Sequence, residues 1–150
     1  MQPTFITSPS YDALHNAAIT MVREVRTHKW IDAVVAPSRG GLLFGVIASH
    51  KLNVPLVVVD YSSKDGAGDD KKSTNFLPAL DPKIKTILLV DDIVDSGNTM
   101  KEIAEAYTVE GRLQVLTAAF HYKEGAAYQP SVYYWRIPAD SPFIQYPYEA

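Results

Sequence analysis

The sequence predicts an α/β fold, with a parallel sheet flanked by helices, in a single domain that spans residues 1–150. Short apolar segments rich in branched residues alternate with segments of helical periodicity, and this alternation is typical of parallel sheets. The run Ile87–Val90 is continuously apolar and branched, as a strand covered on both faces requires. A chain of 150 residues is long enough to bury a sizeable core but leaves no room for a second domain.

The first half of the chain predicts one long helix before the sheet begins. With Ser8 or Ser10 as N-cap, apolar residues recur at helical spacing through to Lys29. A buried strand, a helix and a strand of strong β propensity follow at 31–36, 40–52 and 55–60.

Residues 61–82 interrupt the alternation. They combine glycines, four aspartates and three lysines with small polar residues. A loop this long is uncommon inside a compact domain unless it is a lid or disordered, so we predict a mobile lid.

The second half returns to strands and a helix. A third strand is predicted at 85–90, a helix at 99–109 with Gly111 near its end, and two further strands at 113–120 and 131–137. The tail from Pro138 to Ala150 contains three prolines and three large aromatic residues, which predicts an irregular but packed flap.

Composition excludes several classes of function. The net charge of −3 argues against general nucleic-acid binding, which normally needs a basic face. No apolar run approaches the roughly 18 residues of a membrane span, and the first residues lack the pattern of a signal peptide. With no cysteine there is neither a disulfide framework nor a thiolate metal site, so we expect a cytoplasmic protein.

The most informative segment is 88–100, which reads LLVDDIVDSGNTM. It places the adjacent carboxylates Asp91 and Asp92 after an apolar strand, with Asp95 three residues on. Carboxyl ends of parallel strands face the ligand crevice, and a helix that begins at Ser96–Thr99 could hold a phosphate on its N–H groups without a lysine. Adjacent carboxylates repel each other unless a cation or a polyhydroxyl ligand occupies the site.

Three alternatives compete for this segment. A plain polar turn would also use Asp, Ser, Gly and Asn. Asp95-Ser96-Gly97 resembles the nucleophilic triplet of aspartic proteases, but only one copy is present and the following helical pattern opposes a mostly β fold. An apolar run that ends in two acids also suits the magnesium strand of a P-loop nucleotidase, but the required glycine-lysine loop does not occur.

A second polar segment, Pro37-Ser38-Arg39-Gly40-Gly41, lies between the first predicted strand and its helix. N–H groups at a Gly-Gly turn can form an anion nest, and a guanidinium can contact phosphate oxygens in bidentate fashion. A plain turn with a solvated Arg39 is the alternative.

Taken together, these two segments resemble those of type I phosphoribosyltransferases, and in particular the purine-salvage branch of that family. The resemblance implies a site for 5-phosphoribosyl 1-diphosphate, often with a non-proline cis peptide between Ser38 and Arg39. It implies Mg²⁺ as cofactor, held by Asp92 directly or through water, with Asp91 beside it. The residues implied to bind 5-phosphoribosyl 1-diphosphate are Ser38, Arg39, Gly40, Gly41, Asp91, Asp92, Asp95, Ser96, Gly97, Asn98 and Thr99.

The same resemblance assigns the selection of the acceptor base to residues 121–150, as a small hood. Lys123 would read the 6-oxo group of a purine, Phe143 would stack on the ring, and the backbone carbonyl of Ile144 would meet its edge. Asp95 would act as general base. Taken singly, Lys123 could equally be a solvated lysine and Phe143 a core aromatic. His121 is a weak candidate for lining the base pocket.

The implied function is transfer of a 5-phosphoribosyl group to guanine, xanthine or hypoxanthine, with small-molecule substrates, no nucleic-acid or membrane partner, and a homodimeric or homotetrameric assembly. Two alternatives stay open: transfer to a pyrimidine or another acceptor, and a regulator that senses the sugar phosphate. The lid departs from purine relatives, since Tyr61-Ser62-Ser63 stands where a Ser-Tyr pair is usual.

Overall fold

Five strands pair in parallel in one sheet, in the order β2-β1-β3-β4-β5. The computed structural model describes residues 7–61, 77–110 and 112–150. The strands are β1 (Ala33–Ser38), β2 (Leu56–Asp60), β3 (Thr86–Val94), β4 (Gln114–Lys123) and β5 (Val132–Ile137), and the helices are α1 (Tyr11–His28), α2 (Leu42–Leu52) and α3 (Asn98–Val109). This architecture confirms the predicted fold class.

Helix α1 begins where its sequence predicts. The Ser10 hydroxyl accepts a hydrogen bond from the N–H of Ala13 at 3.1 Å, which makes Ser10 the N-cap, and the helix ends one residue before Lys29. Its buried face is a stripe of apolar residues at helical spacing: Leu14, Ala17, Ala18, Met21, Val22 and Val25.

The central strands are buried on both faces. In β3, Leu88 and Val90 belong to the core beneath α1 and α2, while Ile87 and Leu89 belong to the core beneath α3. Alternate residues of a strand point to opposite faces, so a continuous apolar run is what two covered faces require. The prediction from Ile87–Val90 is therefore confirmed.

Strand β3 is longer than predicted. It continues beyond Val90 to Val94, because β4 runs alongside and pairs with it as far as Val94 and Tyr122. Asp91 and Asp92 consequently lie inside the strand and not in a turn after it. Neighbouring backbone pairing overrides the low β propensity of aspartate here.

Two predictions fall outside the described residues. The first is most of the predicted lid at 61–82, since residues 62–76 are not described. The second is the predicted end of the helix at Gly111, which is not described either. In the parts of the chain that are described, no helix is long and apolar enough to cross a membrane.

The C-terminal tail packs as an irregular segment, as predicted. Ile144 and Tyr146 are buried in the core beneath α1 and α2, and the N–H of Gln145 donates to the carbonyl of Thr7 at 2.8 Å. A single 3-10 turn, Pro147–Glu149, follows. The tail thereby returns the end of the chain to the carboxyl edge of the sheet.

Candidate functional site

A cleft of about 1320 Å³ opens at the carboxyl ends of β1 and β3. Open α/β sheets bind ligands at this edge, where the strand-to-helix loops converge. Nine residues predicted from the sequence line it: Ser38, Arg39, Gly40, Asp91, Asp92, Asp95, Ser96, Gly97 and Thr99. Loops far apart in the sequence therefore meet in one cavity, large enough for a sugar phosphate.

The β1–α2 loop, residues 39–41, forms one wall. The peptide bond between Ser38 and Arg39 is cis, as the resemblance implied, and the Arg39 side chain is exposed. The N–H of Gly41 donates inward to the carbonyl of Pro37 at 2.9 Å, so this N–H is already used within the loop. Gly41 itself is buried and does not line the cleft.

Gly40 is required by close packing against β3. A Cβ atom at this position would lie 2.7 Å from Oδ2 of Asp92 and 2.9 Å from its Cγ. Any larger residue would push the carboxylate away. The loop and the acidic strand are therefore fitted to each other at this point.

Asp91 and Asp92 form the floor of the cleft as a desolvated pair of acids. Burial and the neighbouring charge of Asp92 raise the pKa of Asp91 well above its usual range. Burial also raises the pKa of Asp92, while hydrogen bonds from Tyr148, Asp91 and the N–H of Ile93 act in the opposite direction. Two such carboxyl groups gain most from a bound cation or from ligand hydroxyl groups.

The β3–α3 loop, residues 95–97, leads into the N-terminus of α3. Gly97 adopts a φ of +89°, in the left-handed region that favours glycine, and a Cβ there would lie 2.7 Å from the backbone nitrogen of Tyr128. The Ser96 hydroxyl accepts from the N–H of Asn98 at 3.2 Å, and the Ser96 carbonyl accepts from Ala127 at 2.7 Å. The connection between β4 and β5 thus holds this loop at the helix N-terminus, a favourable place for a phosphate.

Lys123, at the end of β4, contacts the same loop. Its ammonium donates to Oδ1 of Asp95 at 2.9 Å. The predicted reader of the purine and the predicted general base are therefore neighbours at the edge of the cleft, although 28 residues separate them in the sequence.

The remaining predicted residues lie away from the cleft lining. Phe143 has 80% of its surface exposed, whereas the Ile144 side chain is buried in the core. Asn98 is exposed at the start of α3. His121 is fully buried between Trp135 and Tyr146, so the structure corrects its suggested place in a pocket lining.

The sequence missed the tyrosines of the tail as site residues. The Tyr148 hydroxyl donates to Oδ2 of Asp92 at 3.0 Å, and the Tyr146 hydroxyl donates to the Asp92 carbonyl, also at 3.0 Å. Tyr148 and Glu149 line the cleft. Burial and the charge of Asp92 raise the pKa of Tyr148, which keeps its phenol protonated as a donor. The cluster of aromatic residues in the tail was the only signal for this role.

The residues present fit a magnesium ion held partly by substrate. Across the described ranges, no group of three or more His, Asp or Glu side chains converges on one point. Mg²⁺ bound with a phosphorylated substrate needs only one or two protein carboxylates, because phosphate oxygens and water complete its shell. Asp91 and Asp92 supply such a donor set.

Comparison with known proteins adds independent evidence. A family model for the phosphoribosyl transferase domain matches residues 10–149. The chain is 35% identical over 99 residues to a xanthine-guanine phosphoribosyltransferase from Idiomarina loihiensis, covering 64% of this chain and 61% of that protein. A protein of the same name from Roseobacter denitrificans is 35% identical over 83 residues, covering 50% and 47% of the two chains. The matched segments therefore span about half to three fifths of those relatives.

Solved structures match over nearly the whole chain. A purine phosphoribosyltransferase from Pyrococcus horikoshii superimposes with a TM-score of 0.81 at 25% identity, covering 96% of this chain and 93% of that one. A xanthine-guanine-hypoxanthine phosphoribosyltransferase from Helicobacter pylori has a TM-score of 0.80 at 20% identity, covering 95% and 91% of the two chains. At that identity the second match concerns the fold alone.

Proposed function

The chain belongs to the phosphoribosyltransferase family, and from that premise we propose that it transfers a 5-phosphoribosyl group from 5-phosphoribosyl 1-diphosphate to a 6-oxopurine. The products are a nucleoside monophosphate and pyrophosphate. One observation carries the proposal: the β1–α2 loop, the two acids of β3 and the β3–α3 loop line a single cleft, with Lys123 bonded to Asp95 at its edge.

Substrate binding divides among three parts of the cleft. Backbone groups and hydroxyls of residues 96–99 hold the 5-phosphate at the N-terminus of α3. Asp91 and Asp92 accept hydrogen bonds from the ribose hydroxyls. Ser38, Arg39 and the backbone at Gly40 bind the diphosphate group, with the guanidinium as its charged contact, while the Gly41 N–H holds the loop itself together. The sugar is thereby held at both ends while its anomeric carbon remains open to attack.

The chemical step exchanges one bond for another at the anomeric carbon. The bond to the pyrophosphate oxygen breaks and a bond to a purine nitrogen forms, so positive charge develops on the sugar ring. Asp95 accepts the proton that the purine loses and acts as general base. Arg39 stabilises the charge that accumulates on the leaving pyrophosphate.

Mg²⁺ is the proposed cofactor, with Asp92 as the direct or water-mediated ligand and Asp91 beside it. When bound, the ion supplies charge neutralisation on the diphosphate. The desolvation of these two carboxyl groups supports the assignment, because a divalent cation offsets their mutual repulsion.

The acceptor is assigned from the residues of the hood, 121–150. Lys123 donates to the 6-oxo group, Phe143 stacks on the ring, and the carbonyl of Ile144 meets the ring edge. The names of the similar proteins, xanthine-guanine and purine phosphoribosyltransferases, support a purine acceptor. A homodimer or homotetramer and a cytoplasmic location belong to the same proposal.

The test is a comparison of initial rates with guanine, xanthine, hypoxanthine, adenine and uracil, each offered with 5-phosphoribosyl 1-diphosphate and Mg²⁺. The proposal predicts turnover of at least one 6-oxopurine. Turnover of uracil or adenine alone would retain the sugar-diphosphate site and overturn the acceptor assignment. Binding of the diphosphate without any turnover would favour the sensing regulator.

A further inference from the structure

Tyr148 touches two parts of the cleft at once. Its hydroxyl lies 3.0 Å from Oδ2 of Asp92 and 3.5 Å from the carbonyl oxygen of Gly40. A phenol has one proton to donate. The shorter bond, to a carboxylate, is the stronger one, so the proton belongs to Asp92 and the Gly40 carbonyl is a close neighbour at the limit of bonding distance.

The carboxylate of Asp92 is confined from three directions. Oδ1 accepts from the N–H of Ile93 at 2.7 Å, Oδ2 accepts from Tyr148, and the α-carbon of Gly40 closes the third side. Of these three, Ile93 is the next residue in the chain, whereas Gly40 and Tyr148 come from other parts of the sequence, and Tyr148 lies 56 residues away. Removing its hydroxyl would leave Oδ2 without this anchor and allow the carboxylate to rotate.

The Tyr148 ring rests on a buried support that does not depend on its hydroxyl. It stacks on Tyr146, with ring centroids 5.5 Å apart and an interplanar angle of 1°. Tyr146 is 2% exposed and donates to the Asp92 carbonyl, so Nδ1 of His121, at 2.7 Å, is the donor to the Tyr146 oxygen. The substitution Tyr148→Phe would therefore keep the ring in place and remove only the hydrogen bond to Asp92.

We propose that Tyr148 is a positioning residue that fixes the Asp92 carboxylate against the β1–α2 loop, so that the C-terminal tail builds part of the sugar-diphosphate site. The inference rests on the proposed function, since it assigns the work of this tyrosine to the binding of the diphosphate substrate. It also divides the tail into two parts: Phe143 and Ile144 bind the purine, and Tyr148 helps to bind 5-phosphoribosyl 1-diphosphate.

The experiment is a double-mutant cycle on substrate binding. The affinity for 5-phosphoribosyl 1-diphosphate with Mg²⁺ is measured by calorimetry for wild type, Tyr148→Phe, Asp92→Ala and the double variant. We expect Tyr148→Phe alone to weaken binding about tenfold, as the loss of a group that orients a metal or phosphate ligand does. In the Asp92→Ala background the same change should have little further effect, because the carboxylate that the hydroxyl orients is absent.

Two further readouts separate positioning from general structural damage. Tyr148→Phe should leave the melting temperature and the KM for the 6-oxopurine close to wild type, as should the control Tyr134→Phe, whose parent side chain is 42% exposed and packs edge-on against Trp135. Additive losses in the cycle, or a fall in melting temperature with both KM values raised, would overturn the proposal.

The cycle also distinguishes this inference from the proposed function. If wild type binds 5-phosphoribosyl 1-diphosphate but transfers the phosphoribosyl group to no 6-oxopurine, the proposed function fails and the binding cycle still decides the role of Tyr148. If wild type does not bind the diphosphate, both are overturned.

Discussion

The ammonium of Lys123 donates to Oδ1 of Asp95 at 2.9 Å and joins the end of β4 to the β3–α3 loop. The Lys123 side chain is 29% exposed and the Asp95 side chain is 63% exposed. An ion pair this accessible to solvent contributes little to stability, about 0–1 kcal/mol. The ion pair matters because it fixes the positions of the two side chains relative to each other. The group proposed to read the purine and the group proposed to take its proton are held beside each other.

Replacing Lys123 with methionine should weaken binding of the purine and leave binding of 5-phosphoribosyl 1-diphosphate unchanged. We expect Lys123→Met to raise the KM for the 6-oxopurine by about 10-fold to 100-fold, the value of one hydrogen bond to a charged group. Binding of the sugar diphosphate and the melting temperature should stay near wild type. The exposed Lys101 of α3 provides the control, as Lys101→Met. An unchanged KM for the purine would remove Lys123 from the base site.

Replacing Asp95 with asparagine should affect the chemical step. An amide oxygen still accepts from Lys123, so the local geometry is kept while the proton acceptor is lost. We expect Asp95→Asn to lower kcat by about 10²-fold to 10⁴-fold, with the affinity for the sugar diphosphate unchanged. Asp140→Asn, at an exposed position of the tail, is the matched control. Equal losses in kcat and in diphosphate affinity would contradict the assignment of the general base.

The β3–α3 loop can be tested with two glycines that have the same φ angle. Gly97 and Gly125 both have a φ of +89°, but a Cβ at 125 meets nothing within 4 Å, whereas one at 97 meets the backbone at Tyr128. Both alanine variants should lose about 1–2 kcal/mol of stability from the left-handed conformation. Gly97→Ala alone should lose more than this and also weaken diphosphate binding. Equal effects of the two variants on thermal unfolding and on binding would contradict the packing argument.

Asp91 should reduce the stability of the metal-free protein at neutral pH. Its pKa is raised in the folded state, so the folded protein holds the proton more tightly than the unfolded chain, and stability falls as pH rises above about 4. Asp91→Asn removes this effect. We expect the variant to melt at a higher temperature than wild type at pH 7 in the presence of a chelator, with the difference shrinking toward pH 4.

Calorimetric melting at several pH values would check this prediction, with Asp140→Asn as the exposed control. The same Asp91→Asn variant should bind the sugar diphosphate less well, since it lacks one of the two site carboxylates. A variant that melts below wild type at pH 7 would contradict the account of the acidic pair.

The parts of the fold that sequence predicted well are those set by local chemistry. The Ser10 cap and the apolar stripe of α1 are short-range signals, and the run Ile87–Val90 needs only its own composition to predict a buried strand. The extension of β3 through Asp91 and Asp92 depends on pairing with β4, a partner that no local pattern reveals.

The same distinction holds in the site. The β1–α2 and β3–α3 loops are contiguous segments, and their residues line one cleft as the parallel sheet predicts. Tyr148 reaches Asp92 across 56 residues, and its position depends on the packing of Tyr146 in the core. Such long-range contacts leave no periodic trace in a single sequence.

A product balance is the sharpest test of phosphoribosyl transfer by this protein. Purified protein is incubated with Mg²⁺, 5-phosphoribosyl 1-diphosphate and a 6-oxopurine, and both the nucleoside monophosphate and the pyrophosphate are quantified by chromatography. We expect the two products to appear in equal amounts and Asp95→Asn to slow the formation of both. Pyrophosphate released without nucleotide, or no product although the diphosphate binds, would contradict it.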